Sequence, residues 1–224
     1  MDDKQLQEMI ATLIGISDIV YGEFTFSYDL LCDKVDDVQK KILITKANEC
    51  GCFWADRLLE QLHIKEYKDK MQYMTDGLDL RIEYKERLRG GDRLVFAQFE
   101  NPNRITIFLD SIQAAQSAIT EQNLTRLVGN VSVSEVILAH EIFHYIEEKN
   151  KHEIFTRQYK VDLWSLKIFK NQSTIRCLSE IAAMAFAKKL LNLSYSPFVF
   201  DVLVAYSLDH KLGEKLYSEV LKYA

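Results

Sequence analysis

Ser132-Val133-Ser134-Glu135-Val136-Ile137-Leu138-Ala139-His140-Glu141-Ile142-Phe143-His144 is the stretch on which the reading of this chain turns. Ser132 followed three residues later by Glu135 fits a capping box, a pattern that opens a helix. Apolar residues follow at Val136, Ile137 and Phe143, and nothing breaks the pattern before Asn150. The spacing predicts a helix over about residues 133–149, with the HExxH pattern in its middle turns. Residues four apart on a helix share a face, about 6 Å apart along the axis, so the imidazoles of His140 and His144 can converge on one metal ion. Glu141 projects about 100° around the helix from His140, which suits a base beside metal-bound water better than a ligand. With 5 His and 17 Glu in 224 residues, roughly 0.01 such matches arise by chance, so coincidence is a weak competitor. The plain alternative is a pair of core or surface histidines on an ordinary helix.

A catalytic zinc site needs a third protein ligand and an open position. Glu147 and Glu148 are near in sequence but poorly placed, since Glu147 lies about 10 Å along the axis from His140. His152 can serve only if the chain turns back directly after Asn150. Glu180 is the better candidate. It stands at the head of Ser179-Glu180-Ile181-Ala182-Ala183-Met184-Ala185-Phe186-Ala187-Lys188-Lys189-Leu190-Leu191, an alanine-rich run of helix formers with a mostly apolar surface. Such a helix is buried, and a carboxylate carried inward is costly unless paired or metal-bound. The other reading puts Glu180 in a solvated first turn, favoured by the helix dipole.

HExxH followed by a helix of the form E-x-x-A-x-x-F-A-x-x-L-L resembles the ImmA/IrrE-like zinc peptidases, which are glutamate-ligated zincins (gluzincins). Glu180, Ala183, Phe186, Ala187, Leu190 and Leu191 fall on that pattern in register, and the likeness covers about residues 78–193. The resemblance implies that His140, His144 and Glu180 bind Zn2+ and that Glu141 is the catalytic carboxylate, activating a zinc-bound water in a metalloprotease. The chain departs from the family at several places. Phe143 stands where glycine usually precedes the second histidine, Ala182 and Met184 replace residues that are commonly polar, and Leu193 stands where proline often follows the helix. The gap from His144 to Glu180 is longer than usual, leaving room for an inserted element around residues 150–175. No helix-turn-helix segment is evident at either end.

The rest of the chain frames this core. Residues 3–14 read as a helix closed by Gly15, and further helices are expected from Tyr28 to Ala47 and from Gly51 to Leu62. The period then changes to two at Leu80, Ile82 and Tyr84, which is strand-like. Gly90-Gly91-Asp92 reads as a turn, and Arg93–Glu100 and Arg104–Leu109 as strands of a hairpin joined at Asn101-Pro102-Asn103. Helices are expected over Ser111–Val128, Phe155–Phe169 and, as one or two pieces, Pro197–Tyr223. The fold class is therefore α+β: zincin-like, mostly helical, with a small antiparallel or mixed sheet before the HExxH helix. Residues 1–224 are expected to form a single zincin-like domain, with an N-terminal helical portion over 1–70, the metallopeptidase core over 78–193 and C-terminal helices over 194–224.

The chain is 48% apolar and 27% charged, with 2 Pro, 8 Gly and a net charge of -5, so it reads as globular and carries no excess of basic residues for general nucleic-acid binding. No apolar run approaches a membrane span, and Met1-Asp2-Asp3-Lys4 lacks the features of a signal peptide, so a cytoplasmic location without a membrane partner is expected. Cys32, Cys50, Cys52 and Cys177 are expected to be reduced and mostly buried, because Cys50-Gly51-Cys52 has no partner pair.

The function that follows is a zinc metalloendopeptidase, a hydrolase acting on a peptide or protein substrate. Tyr145, Arg176, Tyr159 and His210 are candidate oxyanion donors, and Arg176, one turn before Glu180, can instead orient that carboxylate. An edge strand of the sheet can pair with an extended substrate. The alternative is a catalytically inactive zincin-fold protein that regulates or binds a partner, and a third possibility is a helical protein whose histidines hold no metal.

Overall fold

The computed structural model describes residues 3–64, 70–86, 96–166 and 169–224. In chain order the elements are α1 (Asp3–Leu13), α2 (Asp18–Ser27), α3 (Asp37–Gln61), α4 (Lys70–Gly77), β1 (Arg81–Lys85), β2 (Ala97–Glu100), β3 (Arg104–Phe108), α5 (Leu109–Glu121), α6 (Thr125–Val128), α7 (Val133–Lys149), α8 (Phe155–Gln158), β4 (Lys160–Leu166), β5 (Phe169–Thr174), α9 (Cys177–Leu190), α10 (Val199–Leu208) and α11 (His210–Val220). The fold is α+β and mostly helical. A mixed sheet in the order β1-β3-β2 precedes α7, with β1 parallel and β2 antiparallel to β3. The central strand β3 buries Ile105 and Ile107, and a continuous apolar core runs from Leu6 on α1 to Val220 on α11.

Helix α7 starts and stops where its capping residues dictate. The Ser132 hydroxyl accepts the Glu135 amide at 3.3 Å, the Val133 amide donates to Gln116 Oε1 at 3.0 Å, and Asn150 closes the helix. Helix α9 is buried almost all round, on α3 along one side and α7 along another. Its partly open positions are Ser179, Glu180, Met184, Lys188 and Lys189. Glu180, Met184 and Lys188 fall four apart and so form one stripe. The packing of α3 on α9 requires glycine at position 51, since a Cβ there would lie 2.1 Å from the Ala182 carbonyl oxygen and 2.8 Å from the Phe186 amide nitrogen.

Several expectations need correction. The two helices expected over 28–47 and 51–62 are a single helix, α3, which runs straight through Cys50-Gly51-Cys52. The backbone contact with α9 holds Gly51 helical, whereas residues 28–35 form turns and a short 3-10 segment. Helix α2 is an element the sequence pattern did not separate from its neighbours. The helix expected over 111–128 divides into α5 and α6 at Asn123, whose φ of 53° lies in the left-handed region. The largest difference is at 155–169. Only Phe155–Gln158 is helical there, and β4 and β5 follow as an antiparallel two-stranded ribbon with an irregularity between Asp162 and Trp164. The alternation of Val161 and Leu163 with Lys160 and Asp162 is the strand signal that a helical reading overrides. The turn expected at 90–92 and residues 93–95 of the first hairpin strand lie outside the described residues.

All four cysteines are free, with Cys50 and Cys177 buried and Cys32 and Cys52 partly so. Among the described residues no single helix is long and apolar enough to cross a membrane. Gly51→Ala is expected to destabilise the protein by on the order of 1–3 kcal/mol, because the clash is with backbone that cannot rotate away. Chemical denaturation of the two proteins side by side measures it.

Candidate metal centre

His140 and His144 stand one turn apart on α7, and Glu180 faces them from the first turn of α9. His140 Nε2 lies 3.0 Å from His144 Nε2 and 3.2 Å from Glu180 Oε2, and His144 Nε2 lies 3.8 Å from Glu180 Oε1. One ligand atom from each residue falls within 4.8 Å of the others, so the three could hold a metal ion. Two helices bring them together for separate reasons. The i, i+4 spacing aligns the imidazoles, and the burial of α9 on its other faces leaves Glu180 pointing at them.

The group lies at the base of a cleft of about 990 Å³. One wall is β2, where Phe96, Ala97, Gln98 and Phe99 line the opening; the opposite side includes Met184, Phe198 and Phe200. Among the described residues β2 is an edge of its sheet, with β3 on its other side. Glu141 is buried, lines the cleft and has no hydrogen-bond partner among the described residues.

The charges are strongly coupled. Burial pushes the His140 imidazole down, but its bond to Glu180 and the nearby charges of Glu180, Glu141 and Asp201 outweigh this and hold it up at about 9. Burial likewise raises Glu180, and the bond from His140 with the charges of both imidazoles overcomes it, leaving the carboxyl at about 2. Near neutral pH a proton on His140 therefore bridges the nitrogen and the carboxylate.

A third carboxyl, Asp201 on α10, lines the same cleft and is raised to about 7. Burial is the main cause, His140 opposes it and Glu180 adds to it. Nδ1 of His140 is buried without a hydrogen-bond partner among the described residues. His144 is better supported, since its Nδ1 lies 3.3 Å from Ser179 Oγ and 3.9 Å from Glu147 Oε2.

Glu147 does not join the ligand group, as its distance along the helix required. His152 lies in the exposed turn after α7, outside the group. Of the candidate donors, Arg176 lines the cleft but makes no ion pair with Glu180, so it does not orient that carboxylate. The Tyr145 hydroxyl donates to the Leu78 carbonyl oxygen at 3.1 Å, and Tyr145 lines a separate pocket and not the cleft. Tyr159 packs beside Phe155 and His210 stacks on Tyr206, neither lining the cleft. Asp201, Ser179, Thr156 and Arg157 carried no motif that could single them out. Phe143 is fully buried with its ring 5.7 Å from that of Phe186, so the large side chain at this position serves the α7–α9 contact and does not obstruct the cleft.

Comparison with protein-family models, with characterised proteins and with solved structures returns no match. The geometry of the chain itself therefore carries the functional reading.

Metal uptake must displace the His140 proton while Glu180 is already ionised. Affinity for a divalent metal is expected to rise about tenfold per pH unit as pH approaches 9 and then level. The stability of the metal-free protein moves the other way above neutrality. The His140–Glu180 pair contributes fully between the ordinary carboxyl value of 4.5 and the ordinary histidine value of 6.5; this contribution is lost as pH rises through about 9 and again as pH falls toward about 2. Chelator competition and thermal unfolding across that range measure the two trends.

Proposed function

We propose that this protein is a zinc-dependent metallopeptidase of the ImmA/IrrE-like kind, a zincin that hydrolyses peptide bonds. The observation that carries the proposal is the convergence of His140, His144 and Glu180 at the base of a cleft walled by an edge strand, with Glu141 buried beside them.

The donor set fits zinc. Zinc–nitrogen and zinc–oxygen bonds of about 2.0–2.2 Å place tetrahedral ligands about 3.3–3.6 Å apart. His140 Nε2 lies 3.0 Å from His144 Nε2 and 3.2 Å from Glu180 Oε2, near that value, and His144 Nε2 approaches the other carboxylate oxygen, Oε1, at 3.8 Å. Two imidazoles and one carboxylate leave a fourth position for chemistry. When bound, zinc would polarise a substrate carbonyl and lower the pKa of water toward about 7.

The chain's own groups supply the rest. Glu141 is a buried carboxylate with no hydrogen-bond partner among the described residues, available to take the proton of the attacking water and pass it to the amine as the carbon–nitrogen bond breaks. Arg176 lines the cleft and can donate to the carbonyl oxygen, whereas the Tyr28 hydroxyl, also at the cleft, donates to Glu219. Among the described residues strand β2 pairs only with β3, so an extended peptide can add to its other edge along the cleft. The aromatic wall of Phe96, Phe99, Phe198 and Phe200 favours apolar side chains in that peptide.

Glu141→Gln tests the mechanism. The variant is expected to keep stoichiometric zinc by elemental analysis and to lose at least about 10²–10⁴-fold in zinc-dependent cleavage of a peptide library. Cleavage at the wild-type rate in that variant would rule the mechanism out. Zinc-loaded wild-type protein that cleaves no peptide or protein substrate would favour the inactive regulatory alternative.

A further inference from the structure

A second cluster of buried polar groups lies directly behind His144, away from the ligand atoms. Glu147 is the most buried charged residue among those described, with 1% of its surface exposed. Its Oε1 accepts the Thr156 hydroxyl at 2.5 Å, and Arg157 Nη2 lies 3.1 Å from Oε2. Oε2 of the same carboxylate lies 3.9 Å from His144 Nδ1, one turn back on α7. Ser179 Oγ stands 3.3 Å from His144 Nδ1 and is adjacent in sequence to Glu180.

Burying a carboxylate this deeply is costly unless several donors meet it. A plain tie between α7 and α8 would need Thr156 and Arg157 alone. The carboxylate also faces the His144 ring nitrogen at 3.9 Å, and Ser179 bonds that same nitrogen, so both belong to the metal group's immediate surroundings.

We infer that Glu147, acting with Ser179, is a positioning residue for His144. The inference rests on the proposal that His140, His144 and Glu180 hold a metal. Nδ1–H of His144 donates to Ser179 Oγ at 3.3 Å, and the Glu147 carboxylate, 3.9 Å from the same nitrogen, favours a proton on that side of the ring. This fixes the ring's tautomer and leaves Nε2 bare toward Glu180. Thr156 and Arg157 hold the carboxylate so that it cannot swing away. Because Ser179 and Glu180 are consecutive on α9, the orientation of one ligand is tied to the position of another.

The test measures zinc affinity by competition with a chromophoric chelator, and in parallel the ring-proton resonance of His144 in the zinc-loaded protein. Glu147→Ala and Ser179→Ala are expected to weaken zinc binding by about 10–100-fold. Both should lose the slowly exchanging Nδ1–H signal of His144 seen in wild type. Glu147→Gln, which keeps an acceptor oxygen, should lose less than Glu147→Ala. Glu153→Gln, at an exposed residue paired with Arg57, should bind as wild type does. Should Glu147→Ala fail to fold, Ser179→Ala still decides, because Ser179 is only partly buried. Folded Ser179→Ala and Glu147→Gln proteins with wild-type affinity and an unchanged His144 signal would overturn the inference and leave the metal site standing. Wild-type protein that takes up no zinc would instead remove the metal site, and this inference with it.

Discussion

The burial of α9 between α3 and α7 is the constraint from which the site follows. A helix this apolar cannot stand on a surface, so it must find partners on nearly every side. Gly51 lets α3 approach until backbone meets backbone, and Phe186 packs against Phe143 on the α7 side. The stripe left over is Glu180, Met184 and Lys188. Lys188 finds Asp18 on α2, and Glu180 and Met184 face the cleft. Nothing about Glu180 needs to be steered individually. Once the apolar faces are satisfied, the carboxylate stands at the cleft with half of its side chain exposed, and there it meets the two imidazoles.

That arrangement has an electrostatic cost, and the protein meets it with a proton. Two imidazoles and a carboxylate whose polar atoms lie within 4.8 Å are expensive to desolvate. With His140 held well above the ordinary histidine value by Glu180, the cluster favours an ion pair. The two histidines are unequal in this. His140 has a direct bond to Glu180 but a buried Nδ1 without a partner, whereas His144 is backed by Ser179 and Glu147. One ring is secured by the opposing ligand and the other from behind.

Much of this was legible along the chain, for a physical reason. The bounds of α7 are written in local chemistry, from the Ser132 cap to Asn150, and α7 spans the residues the capping pattern indicated. The apolar surface of residues 179–191 marked a buried helix, and the period-two alternation near residue 82 marked the sheet. What failed were places where distant contacts override local signals. Cys50-Gly51-Cys52 looks like a helix break, but tertiary packing makes glycine the only residue that fits within a continuous helix. Residues 160–174 carry enough apolar character for a helix, yet they pair with each other as a ribbon. Asp201 and Arg157 could not be read at all. Their relevance exists only once α10 and α8 have folded back onto the cleft.

The ribbon also bears on how the cleft is built. It fills the long interval between His144 and Glu180, and its last residues lead through Thr174, Ile175 and Arg176 along the cleft into α9. The α9 start is then pinned from across the molecule, since the Cys177 amide donates to Asp29 Oδ2 at 2.8 Å. The ribbon therefore does not loosen the spacing between the histidine pair and the glutamate. The chain is long between them, but both ends are fixed by contacts independent of its length, and loop closure grows only slowly more costly with added residues. A long connection is thus tolerated while the His140, His144 and Glu180 atoms keep their separations, and its last residues become part of the cleft wall.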